Sequence, residues 1–406
     1  MKEKLHPTLI NKLAWSLPWL TRYPFWRARE AATRGQLASG QPQHLIVVVA
    51  NHYEPGWNEQ GTTVDWNTQL MKVERWCEQA HSIGEAVRDT DGTPFRHTNF
   101  YPAEQYHPRL LQRLAELQAA GFGEVEVHLH HGVEAPDTEE NLRRALVDFR
   151  DALAEEHRCL SRFDGDELPR YAFVHGNLAL ANSDGGRFCG VDTEMRVLAE
   201  TGCYADMTLP SAPGQTQVAR INAIYQCGHD LNEARPHRSG PSLRVGDESP
   251  QLPLIMPGPL VFNWTRRVRG LPVPRVDDGA LTANQPLDQA RLDRWRSARV
   301  HVEGQPQWLF IKLYCHGFYQ FDQPSMIGER MRRFWSEAIE HGERTGAYRI
   351  HFASAREAFN IALAASDGRT GEPGLYRDYR LRQIMQRDLA TADTEHTERE
   401  KLMTMI

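Results

Sequence analysis

The sequence has few cysteines, no long apolar run and no excess of basic residues, and each shortage excludes a class of protein. Its six cysteines include no Cys-x-x-Cys pair, so we interpret them as buried thiols of a reducing compartment rather than a disulfide framework. No stretch of about 18 apolar residues is present, so no transmembrane helix is expected. The net charge of −6 gives no reason to expect a nucleic acid as the partner.

The N-terminus also lacks an uninterrupted apolar segment with a small-residue cleavage site, so we expect no cleavable signal peptide and a cytoplasmic location. Residues 1–40 form instead a Trp-rich amphipathic segment, in which residues 9–26 place Leu, Ile, Trp, Tyr and Phe among basic residues. Two interpretations stay open. The segment packs on the body of the protein, which we favour, or it lies in a membrane interface and makes the protein membrane-peripheral.

A histidine-rich segment is the most informative feature that is present. Residues 124–132 read EVEVHLHHG, which predicts a short strand, Val125 to Leu129, that ends in His128, His130 and His131. Because side chains alternate along a strand, His128 and His130 share one face at a spacing of about 7 Å. Two imidazoles at a strand end are suitable ligands for a divalent metal, so the segment predicts a metal site.

Three further predicted strands end in polar residues of the same kind. These residues are Asn51, His52 and Glu54 after strand 44–50, His175 and Asn177 after strand 171–174, and His316 after strand 308–314. Four strands that end in metal-capable or polar side chains indicate one site on one face of a sheet or barrel.

Predicted strands and helices alternate along most of the chain, an order typical of parallel β/α units. Residues 210–295 are rich in Pro and Gly and are expected to form long irregular loops and short strands that face the substrate. Residues 371–406 are charged and are expected to form a peripheral helix or tail. The middle segment, residues 41–370, is then the α/β domain that carries the site.

Residues 96–153 resemble the polysaccharide deacetylases. In that family a strand with a Phe-rich end precedes a helix of the pattern Pro-x-Leu-Leu-x-x-Leu-x-x-x-Gly, and Glu-Ile-x-x-His-(Ser/Thr)-x-x-His follows. The corresponding segments here are residues 99–101 (NFY), residues 108–121 (PRLLQRLAELQAAG) and residues 124–131 (EVEVHLHH). The family's last functional strand ends Leu-x-His, and residues 311–317 (IKLYCHG) lie at the matching place. The resemblance implies a distorted (β/α)7-type barrel over residues 41–370.

The motifs are matched only in part. The family's first motif is a pair of adjacent aspartates, a base and a metal ligand. Asn51 and His52 stand there, with Glu54 two residues on, and an asparagine cannot act as a base. The second histidine of the next motif falls at Gly132, so His130 or His131 must replace it. Residues 174–177 (VHGN) replace the arginine of the family's Arg-x-Pro motif.

These residues predict a metal-dependent hydrolase, foremost a deacetylase of an N-acetylated sugar or polysaccharide. The predicted metal ligands are His52, Glu54, His128, His130 and His131, and a mixed His/Glu set suits Zn2+ best. Glu54 is expected to take a proton from the metal-activated water, and His316 to return one to the leaving amine. The predicted substrate contacts are Asn51, His175, Asn177, Asp206, Asn222, Tyr225 and Lys312.

Two alternatives stay open at the level of the sequence. One is another C–N or glycosidic hydrolase on the same barrel, since relatives of this architecture include both. The other is a barrel that has lost catalysis, with Asn51 as the reason, and that binds a glycan or a partner protein. A fold alone does not choose between these functions.

Overall fold

The computed structural model describes residues 8–34 and 41–385, so the expectations for residues 386–406 lie outside the described residues. Within the described residues the chain is mixed α/β, as expected, with nine α-helices and fifteen strands. The helices are α1 Leu9–Leu20, α2 Tyr23–Arg34, α3 Trp66–Ala86, α4 Pro108–Ala119, α5 Glu139–Asp151, α6 Glu194–Thr201, α7 Gln289–Ser297, α8 Glu329–Thr345 and α9 Ala355–Ser366.

The strands are mostly short outside the predicted β/α units. They are β1 Gln43–His52, β2 His97–Pro102, β3 Gly123–Leu129, β4 Ser161–Phe163, β5 Tyr171–His175, β6 Cys203–Asp206, β7 Tyr225–Gln226, β8 Leu254–Ile255, β9 Val261–Asn263, β10 Arg267–Val268, β11 Leu271–Pro272, β12 Arg275–Asp277, β13 Trp308–His316, β14 Tyr348–Phe352 and β15 Leu381–Gln383.

Nine of these strands form one curled sheet in the order β13-β1-β2-β3-β5-β6-β8-β7, with β14 also paired to β1. All neighbours run parallel except β7, which is antiparallel to β8. On β1, residues 43–47 pair with β14 and residues 50–52 pair with β2, while β13 pairs along residues 44–52. The carboxyl ends of β1, β2, β3, β5 and β13 therefore meet at one edge of the sheet.

The two faces of the sheet bury separate cores, because successive side chains of a strand point to opposite faces. Leu45, Val47 and Val49 of β1 pack with the apolar sides of α3, α4, α5, α6 and α8, and we call this the helix-layer face. Ile46 and Val48 pack against α9, and we call this the α9 face.

Helix α9 is unusual because all twelve of its residues are buried. A capping box begins it, in which the Ser354 hydroxyl accepts from the Glu357 amide and the Glu357 carboxylate accepts from the Ser354 amide. Its many alanines let it lie close to the strands. Since α9 packs beside Ile46 and Val48, His52, which follows them on the same face of β1, lies beyond the helix at the strand end.

The segments flanking the sheet only partly follow the sequence-based expectations. Residues 210–295 contain the expected short strands, β7 to β12. They also include most of α7, a helix that was not expected there. Residues 371–385 form no α-helix. Instead β15 pairs with β4, and Leu381 is fully buried in the core of the α9 face.

The N-terminal helices pack on the body, which is the interpretation we favoured. Trp19 is 1% exposed and contacts the cluster of Ala212, Ile221 and Leu260. Tyr23 packs edge-on against Phe262. Among the described residues, no helix has both the length and the apolar content needed to cross a bilayer.

Candidate metal centre

Five side chains meet at the carboxyl ends of β1, β3 and β13. They are His52, Glu54, His128, His130 and His316. The alternation of the strands explains the grouping. His52 continues the α9-face series of Ile46, Val48 and Ala50, and its register partner is His316. His128 lies between Val127 and Leu129, which both point to the helix-layer face, so it points to the α9 face.

The Glu54 carboxylate lies at the centre of this cluster. Its Oε1 atom is 3.2 Å from His128 Nε2, 3.5 Å from His130 Nε2 and 4.0 Å from His52 Nδ1. The ring centroids of His52 and His316 are 4.5 Å apart. Glu54 thus belongs to two groups whose ligand atoms lie within 4.8 Å of one another, one with His128 and His130 and one with His52 and His316.

Two of the histidines are held through the nitrogen that faces away from Glu54. His128 Nδ1 lies 2.6 Å from the carbonyl oxygen of Val174, so it donates its proton there. His130 Nδ1 lies 2.6 Å from Glu104 Oε1. Both Nε2 atoms are therefore presented to the centre, and such outer contacts are typical of metal-bound imidazoles. Two imidazole nitrogens with a carboxylate oxygen form a donor set that suits a zinc ion.

The surroundings shift the pKa values of these groups in different directions. Burial raises the pKa of Glu54, but the hydrogen bond from His128 and the nearby imidazoles outweigh it and lower that pKa to about 2. Burial and the neighbouring His316 and His128 hold the pKa of His52 well below its usual range. Burial likewise lowers the pKa of His316. Burial lowers the pKa of His128, but the hydrogen bond to Glu54 and the charge of that carboxylate outweigh burial and raise it. The centre thus combines an ionised carboxylate with imidazoles that give up any Nε2 proton when they bind a metal.

Aromatic side chains flank the opening of the centre. Trp57 packs edge-on against His130 with ring centroids 4.8 Å apart, and Tyr319 stacks on His316 at 5.0 Å. Trp57, Tyr319 and His316 are each only partly buried. The cluster is therefore within reach of a molecule that approaches from solvent.

The structure does not bring His131 to this centre. His131 follows Leu129 and His130 in alternation and points to the helix-layer face, where it meets His175, Cys189 and Glu194. His175 reaches the same cluster because Tyr171 and Phe173 of β5 point to that face. The predicted ligand His131 and the predicted substrate contact His175 thus belong to a second group of side chains.

Asn51 also points away from the centre. Its Nδ2 atom donates to Asn99 Oδ1 at 3.0 Å, and its Oδ1 atom lies 3.4 Å from Cys315 Sγ. Like Val47 and Val49, it points to the helix-layer face. The structure therefore gives it buried protein partners rather than a contact with the metal-ligating side chains.

The remaining predicted substrate contacts lie in three settings. Asn177 is exposed. Asn222 and Tyr225 are buried and bonded to the backbone, Asn222 to Leu260 and Tyr225 to the His237 carbonyl.

Asp206 and Lys312 are buried ionisable groups. Lys312 donates from Nζ to the Met207 carbonyl at 2.8 Å, and Asp206 accepts from the Thr208 hydroxyl at 2.8 Å. Burial raises the pKa of Asp206 to about 7 and lowers that of Lys312 to about 7. Their bonds to neighbouring backbone and hydroxyl groups tie both side chains to the fold.

Sequence reasoning did not single out Glu104, Cys189 and Glu194. Glu104 follows directly after β2, so the strand-end pattern that selected the histidines could also have selected it. Cys189 lies in a loop and Glu194 begins α6, and neither residue carries a local signal that relates it to the histidines.

Comparison with protein-family models and with curated proteins found no match for this chain.

Proposed function

We propose that this protein is a metal-dependent hydrolase that removes the acetyl group from an N-acetylated sugar or polysaccharide. The observation that carries the proposal is the approach of His128 Nε2 and His130 Nε2 to one oxygen of Glu54, with both opposite ring nitrogens held by oxygen atoms. Burying the charge of the Glu54 carboxylate among these side chains costs free energy, and a bound cation would offset that cost.

His128, His130 and Glu54 would hold the ion, with His52 next to them. A divalent ion in such a site lowers the pKa of a water molecule and polarises a carbonyl group. Zn2+ is the ion that this donor set fits best.

The side chains then divide the proton transfers between them. Glu54 is the only carboxylate of the five residues and would accept the proton of the attacking water. His316, which lies next to His52 and Glu54, would take up that proton and hand it to the leaving amine. Asn51 takes no part because it points to the other face. Glu54 thus replaces the aspartate base that the deacetylase motif has at position 51.

The rim of the centre favours a sugar substrate. Trp57 and Tyr319 present aromatic faces and edges beside His130 and His316, and aromatic rings pack well on the apolar faces of sugar rings. The strands are mostly parallel and the site lies at their carboxyl ends, as in β/α-barrel enzymes. This arrangement supports the proposal that the curled sheet is a distorted β/α barrel of the polysaccharide deacetylase type.

Acetate release from N-acetylated sugars and oligosaccharides by the zinc-loaded protein tests the proposal. Glu54→Gln keeps the shape of the side chain but removes the base, so we expect kcat to fall by a factor of about 100 or more. Glu78→Gln changes an exposed glutamate on α3 and is expected to leave kcat unchanged. Equal rates for Glu54→Gln and the wild type would contradict the assigned base.

Asn51→Ala tests whether position 51, where the polysaccharide deacetylase motif has its aspartate base, takes part in the reaction. We expect it to retain more activity than Glu54→Gln, because Asn51 does not face the centre. An equal loss in the two variants would assign Asn51 a role in the reaction. A metal-loaded protein that binds glycans without turning them over would support the non-catalytic alternative.

A second candidate function concerns the N-terminal helices. Ile10, Leu13 and Leu17 recur at helical spacing on the side of α1 opposite the buried Trp19, and all three are exposed. Beyond Phe262, the β10–β11 hairpin also exposes apolar side chains and arginines: Trp264, Arg266, Arg267, Val268, Arg269 and Leu271. We propose that these two groups of exposed residues, which we call the N-terminal apolar stripe and its basic hairpin, rest on an anionic lipid surface.

A further inference from the structure

A second cluster of metal-capable side chains lies on the helix-layer face. It consists of His131 after β3, His175 at the end of β5, Cys189 in the following loop and Glu194 at the start of α6. All four residues are buried, and His175, Cys189 and Glu194 are 0% exposed. Unlike the candidate metal centre, this cluster has no solvent-facing member.

The ligand atoms of the four residues converge. His131 Nε2 lies 3.0 Å from His175 Nε2 and 3.1 Å from Glu194 Oε1, and His175 Nε2 lies 3.4 Å from the same oxygen. Cys189 Sγ lies 3.5 Å from Glu194 Oε2. One atom from each residue lies within 4.8 Å of the others, which is close enough for a single ion to bind all four.

The tautomers make these contacts hard to satisfy without a cation. His175 Nδ1 lies 2.5 Å from the Gly176 carbonyl, which can only accept, so this nitrogen carries the proton. His131 Nδ1 likewise faces the Asp137 carboxylate at 3.0 Å. The two Nε2 atoms then face each other and a carboxylate oxygen, and a positive charge among them, either a second proton on His131 or a bound metal ion, is needed to satisfy these contacts. A metal ion supplies this charge, and a carboxylate or carbonyl behind each imidazole is the usual outer partner of a zinc-bound histidine.

The loops around the cluster are built closely against it. Gly132 has a φ of 63°, and a Cβ there would lie 2.1 Å from the Cys189 carbonyl. The Phe188 amide donates to the Gly132 carbonyl, and the Asp137 amide donates to the Cys189 carbonyl. Within residues 176–194, five non-glycine residues have a positive φ, a conformation that needs support from its surroundings. They are Asn177, Leu178, Ala181, Asn182 and Phe188.

We propose that His131, His175, Cys189 and Glu194 bind a structural zinc ion that fixes residues 176–194 to the end of β3. Two imidazoles, a thiolate and a carboxylate complete a four-coordinate zinc shell, and the thiolate favours zinc over magnesium or calcium. Cys189 loses its thiol proton to solvent on binding. The ion also supports the candidate metal centre, because Gly176, next to His175, lies directly against the His130 ring.

Reconstitution with cobalt distinguishes the two sites, because a cobalt–thiolate bond gives a near-ultraviolet charge-transfer band. We expect this band in the wild type and in Glu54→Gln, which changes only the first centre. Cys189→Ser is expected to lose the band and one metal ion per chain. Cys159→Ser, a buried cysteine outside the cluster, is the matched control and is expected to keep both. A wild type without the band, or a Cys189→Ser variant that keeps it, would overturn the proposal.

A structural site raises the concern that Cys189→Ser does not fold. X-ray absorption at the zinc edge avoids this problem, because it uses the folded His128→Ala protein, which is expected to lose the zinc ion of the first centre. We expect one sulfur and three nitrogen or oxygen ligands around the remaining zinc. A shell without sulfur, or a protein without zinc, would show that the four side chains are only hydrogen-bonded to one another.

Discussion

His128, near the end of β3, and His130, directly after it, are each fixed by the atom behind the ring. The Val174 carbonyl sets the tautomer of His128, and the Glu104 carboxylate sets that of His130. An imidazole held in this way loses little rotational freedom when it binds an ion.

Removing the carboxylate behind His130 tests this role. We expect Glu104→Gln to weaken zinc binding at the first centre by about 10- to 100-fold, as for other outer partners of metal ligands. Competition with a chromophoric chelator measures the affinity, with Glu78→Gln as the control. An affinity equal to that of the wild type would mean that Glu104 does not support the centre.

His97 provides a prediction about pH that is independent of both metal sites. It is 1% exposed and donates from Nε2 to the Met326 carbonyl, and burial lowers its pKa to about 4. The folded protein therefore binds fewer protons than the unfolded chain between pH 4 and about 6.5, so stability falls as the pH is lowered through that window. The loss from this residue is on the order of 3 kcal/mol.

Denaturant unfolding at several pH values measures the effect. His97→Gln is expected to reduce the pH dependence of the unfolding free energy between pH 4 and 6.5, whatever its stability at pH 7. Parallel curves for the variant and the wild type would contradict the low pKa of His97.

At this scale the sequence predicted part of the site. Alternation placed His128 and His130 together, and the structure does so. The same rule puts His131 on the opposite face, yet we grouped it with them because the three histidines are adjacent. Cys189 and Glu194 could not be found in this way, because they reach the second cluster through a loop and a helix start that only the tertiary fold brings near.

At the scale of elements, the sheet depends on the wholly buried α9. Phe359 is 0% exposed and packs against Tyr204 with ring centroids 4.8 Å apart. We expect Phe359→Ala to lower the free energy of unfolding by about 3–5 kcal/mol, because it leaves a cavity between α9 and the strands. Leu375→Ala removes a side chain that is 80% exposed and should change it little. Similar small changes in both variants would contradict the core assigned to α9.

Most elements of the β/α units were predictable, since strong periodicity marks them. The strand expected at residues 44–50 lies within β1, and the strand expected at residues 308–314 lies within β13. The pairing of β15 with β4 was not predictable, because three-residue strands carry too little pattern to distinguish them from loops. The complete burial of α9 was also not predictable, because an alanine-rich sequence is compatible with a buried helix and with an exposed one.

At the scale of the whole molecule, the N-terminal apolar stripe and its basic hairpin both expose apolar side chains to solvent. We expect the protein to sediment with anionic vesicles and not with neutral ones, and to do so less at high salt. Leu13→Glu with Leu17→Glu should abolish binding, whereas Leu375→Glu should not. No binding to anionic vesicles at low salt would contradict a lipid partner, and a dimer that these variants dissociate would identify a second copy as the occupant.

The central claim is that His128, His130 and Glu54 hold a metal ion for hydrolysis. Metal content by mass spectrometry, before and after chelator treatment and zinc reconstitution, tests it most directly in the wild type, His128→Ala and the exposed-residue control His229→Ala. We predict one zinc ion fewer in folded His128→Ala than in the wild type and the control, together with loss of acetate release. The same zinc content in all three folded proteins would contradict the claim.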